Sequence, residues 1–258
     1  TQPLPLAITF SQTNVSCFGG SNGSATANVS GGNLPYSYSW SPSGGSTPTA
    51  SGLSAITYTL VVTDSLGCIF SSSLTITEPP VLSVTTSVTN ETCDYLDNGT
   101  ATASPSGGTP GYTYDWTPGT PTGDGTTSIN GLTAGTWTCT VTDANGCTAT
   151  QSFTLTQPAP LVASDGGQTN VSCNSGSNGS ATVSVTGGTG SYTYTWAPTG
   201  GTAATATGLT AGTYTVTVED GNGCTTTQSF TITEPTLLVA SDGGQTNVSC
   251  NSGANGSA

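Results

Sequence analysis

Apolar and polar side chains alternate in short runs along this chain. Ala181, Val183 and Val185 alternate with Thr182, Ser184 and Thr186, and Tyr192, Tyr194 and Trp196 alternate with Thr193 and Thr195. Tyr214, Val216 and Val218 alternate with Thr213, Thr215 and Thr217, and Phe230 and Ile232 with Thr231 and Thr233. A period of two over five to eight residues predicts a strand with one buried face. The same register recurs upstream as Tyr58, Leu60, Val62 and as Trp137, Cys139, Val141. No stretch carries a helical period, and Gly-Gly and Gly-Asn-Gly turns interrupt the runs.

One apolar face and one hydroxyl face predict antiparallel strands buried on one side. The fold expected is all-β: tandem immunoglobulin- or fibronectin-like antiparallel β-sandwich domains in an extended array. Gly208–Tyr214 (Gly-Leu-Thr-Ala-Gly-Thr-Tyr) reads as a tyrosine corner entering the sixth strand of such a domain. Trp137 takes that place in the middle of the chain and has no hydroxyl, so the corner bond there cannot form in the same way.

The pattern is internally repeated, the signature of a tandem array of small units. Asn-Val-Ser-Cys at 14–17 recurs as Asn-Glu-Thr-Cys at 90–93 and as Asn-Val-Ser-Cys at 170–173 and 247–250. Tyr-x-Tyr-x-Trp recurs at 36–40, 112–116 and 192–196, and Asp-x-x-Gly-Cys at 64–68, 143–147 and 220–224. The expected organisation is the tail of a preceding repeat at 1–3, repeats at 4–79, 80–158 and 159–235, and a partial fourth repeat at 236–258. Residues 238–258 match 161–181 except where Ser177 becomes Ala254, so the chain reads as a window on a longer array. Pro79-Pro80, Pro158-Ala159-Pro160 and Pro235 fall at the joints, where proline restricts bending.

Composition removes several function classes. The 258 residues contain no Lys, Arg, His or Met against thirteen Asp and Glu, a formal net charge of -13. Nucleic acid binding draws on Lys and Arg to displace counterions from phosphates, which this chain cannot do. An anionic membrane surface is disfavoured likewise, and no apolar run is long enough to span a bilayer. Nucleophilic catalysis needs a base beside the nucleophile, and only carboxylates remain for that task. The expectation is a protein that is not an enzyme.

Eight cysteines in small acidic repeats predict disulfides and an oxidising compartment. Two pairings fit the spacing. One stays within repeats: Cys17–Cys68, Cys93–Cys147 and Cys173–Cys224, with the partner of Cys250 outside the chain. The other crosses the joints: Cys68–Cys93, Cys147–Cys173 and Cys224–Cys250. The first is favoured because an independent unit should carry its own staple. Against it, the two cysteines of a repeat would sit near opposite ends of a strict immunoglobulin topology. Cys139 takes an inward strand position and reads as a free, buried thiol acting as a small hydrophobe.

The acids offer a calcium reading, since hard cations take oxygen ligands. The candidates are Asp64, Asp143, Glu219 and Asp220. The competing reading is structural, because Asp64, Asp143 and Asp220 each open the same turn, where Asp bonds backbone N–H groups. No cofactor is required. Asn14, Asn22, Asn28, Asn90, Asn98, Asn170, Asn178, Asn247 and Asn255 lie in Asn-x-Ser/Thr triplets and are glycosylation candidates.

The set Cys-x-Gly-x-x-Asn-Gly-Ser, Gly-Gly-x-x-x-Tyr-x-Tyr-x-Trp, Ala-Gly-Thr-Tyr-Thr-Val-Thr-Val and Asp-x-Asn-Gly-Cys, closed by Glu-Pro, resembles the SprB-type repeat. Residues 170–235 carry it best, through Cys173, Asn178-Gly179-Ser180, Gly187-Gly188, Trp196, Tyr214 and Gly223-Cys224. That family occurs in very large cell-surface proteins of Bacteroidota, gliding-motility adhesins among them. The resemblance implies secretion to the cell surface and an adhesive or filamentous role. It also implies O-linked sugar at Asp-Ser/Thr-apolar triplets, which adds Ser65 of Asp64-Ser65-Leu66 to the candidates. The function expected is a disulfide-stapled, glycosylated strut in a surface adhesin or extracellular filament. Its partners would be neighbouring repeats, identical chains in a filament and surface glycans. The alternatives are a carbohydrate-binding module array, which needs exposed aromatics, and ice binding by Thr rows, which needs an unusually flat face.

Overall fold

The computed structural model describes residues 4–258, so the tail expected at 1–3 lies outside the described residues. All its regular structure is β. The first six strands are β1 (Ala7–Thr13), β2 (Gly23–Ser30), β3 (Ser37–Ser41), β4 (Thr49–Leu53), β5 (Thr57–Thr63) and β6 (Ile69–Thr75). The next six are β7 (Ser83–Thr89), β8 (Gly99–Ser106), β9 (Thr113–Thr117), β10 (Ser128–Leu132), β11 (Gly135–Thr142) and β12 (Thr148–Leu155). The last six are β13 (Val162–Thr169), β14 (Gly179–Thr186), β15 (Thr193–Ala197), β16 (Thr205–Leu209), β17 (Gly212–Glu219) and β18 (Thr225–Ile232).

Each set forms two three-stranded antiparallel sheets. The first pairs β1-β2-β4 and β3-β5-β6, and the other two sets repeat that order. Lettered A, B, C, E, F, G along the chain, this is A-B-E against C-F-G, the immunoglobulin arrangement without its D strand. The chain divides into two compact units. One takes the chain through Glu91 together with Asp97–Thr156, and the other takes Thr92–Leu96 with Gln157–Ala258.

The alternation read from the sequence fills each core. In the first sandwich Trp40, Tyr58, Leu60 and Val62 from one sheet meet Ala25, Ala50 and Leu53 from the other. The second has Trp116, Trp137, Cys139 and Val141 against Ala101, Ile129 and Leu132, and the third has Trp196, Tyr214, Val216 and Val218 against Ala181, Ala206 and Leu209. Small residues on one sheet make room for the indole on the other, which packs beside Phe10, Phe153 or Phe230. Each indole N–H is satisfied by a backbone carbonyl, of Thr47, Thr126 or Ala203, at 2.9–3.0 Å. On the outer faces the hydroxyl rows bond across strands, as between Thr59 and Ser73, Thr138 and Ser152, and Thr215 and Ser229. With no cation in the chain, these ladders do the cross-strand work that ion pairs often do.

The corner expected at Tyr214 is present: its hydroxyl donates to the Thr210 carbonyl at 3.2 Å. In the second sandwich the corner is closed after all, because the indole Nε1–H of Trp137 donates to the Thr133 carbonyl at 3.0 Å. In the first, the Tyr58 hydroxyl accepts from the Ser54 N–H at 3.0 Å. The Gly-Gly pairs have an equally local cause. Gly187 sits at φ +75°, and a Cβ there would lie 1.8 Å from the Pro160 carbonyl oxygen, so only glycine lets the entering chain cross.

One core position breaks the pattern. Val15 and Val171 are buried beneath the loop that precedes the second strand of their sandwiches, and Glu91 takes that place in the second. Its backbone N–H bonds Thr156 O as Val15 and Val171 bond Thr77 and Thr233. Its two carboxylate oxygens are buried with no hydrogen-bond partner among the described residues.

Candidate functional site

The chemistry of this chain concentrates in two loops of each repeat. The first carries the leading cysteine and is built alike around Cys17, Cys173 and Cys250. Asn22 accepts from the Ser16 N–H at 3.0 Å and donates to the Ser16 hydroxyl at 2.7 Å. Asn178 treats Ser172 in the same way, and Asn255 treats Ser249 likewise. A turn bond from Gly20, Gly176 or Gly253 N–H to the carbonyl of Cys17, Cys173 or Cys250 tightens the loop. Glu78 and Glu234, the acids before the joint prolines, clamp it from the repeat's end by accepting the Gly19 and Ser175 N–H groups at 2.6 Å. These acids act locally: a carboxylate facing backbone N–H groups fixes a loop that holds no cation of its own.

The second loop is the turn that holds the trailing cysteine. Asp143 accepts the Asn145 and Cys147 N–H groups at 2.9 Å on one oxygen and Thr109 N–H at 2.8 Å on the other. Asp220 does the same with Asn222, Cys224 and Thr189, and Asp64 with Leu66, Cys68 and Asn33. All three carboxyls are held below the ordinary carboxylate range. For Asp64 the chief cause is the Cys68 N–H, for Asp143 the Thr109 N–H; for Asp220 burial works in the opposite direction and the Cys224, Thr189 and Asn222 N–H groups outweigh it.

The disulfides join these two loops in a way neither expected pairing allowed. Cys17 bonds Cys147 and Cys93 bonds Cys224, both with Cα atoms 5.7 Å apart. Each staple therefore links the leading cysteine of one repeat to the trailing cysteine of the next, at sequence separations of 130 and 131. Cys17–Cys68, Cys93–Cys147 and Cys173–Cys224 do not form, nor do Cys68–Cys93, Cys147–Cys173 and Cys224–Cys250; Cys68, Cys173 and Cys250 are exposed thiols. The reason is strand direction. Cys68 lies in the turn before β6, whereas the Cys17 loop bonds Thr77, beyond the far end of β6. Eight residues at about 3.3 Å separate those ends by roughly 25 Å, several times the span of a disulfide.

The joint has its own recognition. In the first unit the Asn145 side chain donates to Ser16 O at 2.9 Å and to the Thr109 hydroxyl at 2.9 Å. In the second unit the Asn222 side chain donates to Thr92 O at 3.0 Å, and the Tyr95 hydroxyl accepts from Thr225 N–H at 3.3 Å. Cys93 and Cys224 are buried against Leu161 there, with Val185 and Tyr192 alongside. The Asn of Asp-x-Asn-Gly-Cys is the residue that sequence reasoning passed over. Its presence at 145 and 222, and its replacement by Leu66 in the first repeat, was the available signal.

Asp64, Asp143 and Asp220 are buried and spend their lone pairs on N–H donors, while Glu219 is exposed at the end of β17. Among the described residues no three Cys, Asp or Glu side chains stand together as an ion site. Asn14, Asn90 and Asn170 accept from Thr77, Thr156 and Thr233 N–H at 3.0–3.1 Å. Asn28, Asn98, Asn247 and Ser65 are exposed. Cys139 is a free thiol at the centre of the second core, and burial, with Asp115 and Asp124 adding repulsion, pushes it up to about 11. The exposed aromatics that a saccharide platform needs are not supplied by the repeated Tyr-x-Tyr-x-Trp set, whose Trp is buried and whose Tyr residues are partly so. No helix among the described residues is long and apolar enough to cross a membrane.

The sandwich topology and the repeated joint define a class: tandem immunoglobulin-like repeats linked by disulfides. Within it, the SprB repeat family matches this chain three times, over residues 9–46, 85–121 and 166–201, once in each sandwich. No curated protein matches it. Among solved structures, the eight N-terminal Ig domains of Down Syndrome Cell Adhesion Molecule are 13% identical with a TM-score of 0.38, covering 89% of this chain; this chain spans 43% of theirs. Extracellular domains 3–5 of Drosophila OTK are 13% identical with a TM-score of 0.32, covering 90% of this chain and 100% of that one. The S-layer protein SbsC is 13% identical with a TM-score of 0.30, covering 93% and 41%. Strand order, not these likenesses, carries the fold assignment.

Proposed function

We propose that this chain is a force-carrying, non-enzymatic repeat segment of a large secreted cell-surface adhesin or extracellular filament. The observation that supports it is the interleaving of the staples: Cys93 lies between Cys17 and Cys147, and Cys147 lies between Cys93 and Cys224. The segments 17–93, 93–147 and 147–224 therefore connect the same two crosslinked points in parallel. Pulled from its ends, the oxidised chain is limited by the shortest of them, roughly 54 residues or about 190 Å at ~3.5 Å each. Without the staples the same stretch is roughly 207 residues, or about 720 Å. A within-repeat staple would leave every joint to a single strand of backbone; this arrangement bridges the joint covalently. The SprB repeats and the disulfides both fit an extracellular surface location, where thiols oxidise and persist as disulfides.

Single-molecule pulling tests the reading. The oxidised chain should stop extending near the shorter limit and reach the longer one after reduction; equal extensions in both states would sink it. Labelling of intact source cells with an antibody to the chain should mark the surface. The exposed triplets, Asn28 and Ser65 among them, are the proposed sugar sites on a surface with few charges. Intact-mass measurement of the natively produced chain, before and after deglycosylation, checks that. Any calcium would go to exposed carboxylates such as Glu219, not to the N–H-saturated turn aspartates, and an unchanged melting temperature in a chelator is the expected result.

A further inference from the structure

The two staples join equivalent loops but are not equally covered. Cys93 and Cys224 are 1% and 2% exposed. Leu161 packs on them with Val185 and Tyr192 alongside. Tyr95, two residues after Cys93, reaches over to accept from the N–H of Thr225, next to Cys224, at 3.3 Å. Cys17 and Cys147 are only half-buried, and both line an open cavity of about 330 Å³. Its other walls include Phe18, Val81, Leu82 and Thr148. The difference traces to particular residues. Gly19 stands two residues after Cys17, where the other loop has Tyr95, and a Cβ there would meet nothing within 4 Å. Thr148, the counterpart of Thr225, is left lining the cavity. Pro105 stands where Val185 helps to cover the second staple. The asparagine contacts do not make the difference, because Asn145 bonds Ser16 O as Asn222 bonds Thr92 O.

We propose that Cys17–Cys147 is a thiol-exchange site, opened by a small uncharged or cationic thiol that enters this cavity, while Cys93–Cys224 is the permanent staple. This rests on the strut reading and adds its regulation. Disulfides that a thiol can reach exchange faster and are the labile ones. A thiolate attacks one sulfur of the pair; the Cys17–Cys147 bond breaks, a mixed disulfide forms, and the other cysteine leaves as a thiolate that takes up a proton. A second thiol then displaces the protein sulfur from the mixed disulfide. Two small thiols are oxidised to a disulfide, and the staple is reduced to two cysteines. Anionic thiols such as glutathione are opposed by thirteen side-chain acids and no side-chain cation. Opening this staple alone lengthens the shortest path from Cys17 to Cys224 from roughly 54 residues, the segment 93–147, to roughly 76, the segment 17–93. That releases about 80 Å of slack at ~3.5 Å per residue, with the second staple still closed.

The test uses the whole oxidised chain. Exposed thiols are blocked with N-ethylmaleimide, dithiothreitol is added for increasing times, and newly freed cysteines are alkylated with iodoacetamide and located by peptide mass spectrometry. Cys17 and Cys147 should become labelled about tenfold faster than Cys93 and Cys224, while buried Cys139 stays unlabelled and shows that the fold persists. Cysteamine should open the pair faster than glutathione at equal thiolate concentration and low salt. Tyr95→Ala, at an exposed position outside the core, should speed the opening of Cys93–Cys224. Thr148→Phe should fill the cavity and slow the opening of Cys17–Cys147. Equal rates at the two staples of the unaltered chain, or a rate that either substitution leaves unchanged, would overturn the site. Glutathione as fast as cysteamine would overturn the class of thiol. Neither result touches the strut reading, which rests on both staples being present in the oxidised chain.

Discussion

Replacing Glu91 by valine should stabilise the second sandwich. The position is 5% exposed, and valine at the equivalent places, Val15 and Val171, is 3% exposed. The backbone N–H keeps the same role in all three, so the substitution changes only the side chain. Glutamate there buries two oxygens with no partner among the described residues. A buried polar group left unsatisfied costs about 1–3 kcal/mol, and the methylenes of Glu already fill much of the volume that valine would take. The net gain expected is therefore about 2 kcal/mol, and little of it comes from added apolar area. Because a chain of several repeats does not unfold in one step, the gain is best read locally, by hydrogen exchange of the buried strands β8 and β10. Their amides should exchange roughly 30-fold more slowly in Glu91→Val, since 1.4 kcal/mol is a factor of about ten. The converse change, Val15→Glu, should speed exchange in β2 and β4 of the first sandwich. Unchanged or faster exchange in Glu91→Val would show that the carboxylate finds a compensating interaction, and the reasoning would fail.

The turn aspartates predict an acid limit. Their folded carboxyls are held below 3.8 by N–H donors, so the stability they contribute is complete above about pH 5 and is lost as pH falls below the ordinary carboxylate value through the depressed one. Tryptophan fluorescence should show unfolding on acidification, and Asp143→Asn should weaken that dependence in the second sandwich; an unchanged profile would count against it. Trp137→Phe removes the Nε1–H bond to Thr133 and should cost about 1–3 kcal/mol, whereas Trp137→Tyr should cost less by restoring the corner hydroxyl, as read from chemical denaturation. At pH 8 an alkylating reagent should modify Cys68, Cys173 and Cys250 but spare Cys139, whose thiol is buried and protonated; mass spectrometry of the intact chain counts the adducts. Asn145→Ala should loosen the Cys17 loop and make Cys17–Cys147 reducible at lower dithiothreitol than Cys93–Cys224, which Asn222 still covers.

The sequence by itself determined the strands, their inward faces and the repeat. Period-two alternation is a local property, because side chains of a strand point to opposite faces whatever the rest of the chain does. Trp40, Trp116 and Trp196 are therefore legible as core from their neighbours alone, as is Cys139 as a buried thiol. The turn role of Asp64, Asp143 and Asp220 was also legible, since each carboxylate reaches N–H groups two and four residues ahead. Tertiary structure alone decided which cysteines meet. Constant spacing makes every pairing scheme look equally regular, and a disulfide depends on Cα atoms coming within a few ångströms in space. The direction of β6 carries Cys17 and Cys68 to opposite ends of one sandwich, and the next repeat brings its own turn to the end where Cys17 waits. Trp137 teaches the same point at smaller scale: its lack of a hydroxyl was visible in the sequence, but that its indole N–H reaches Thr133 followed only from where the fold sets the ring.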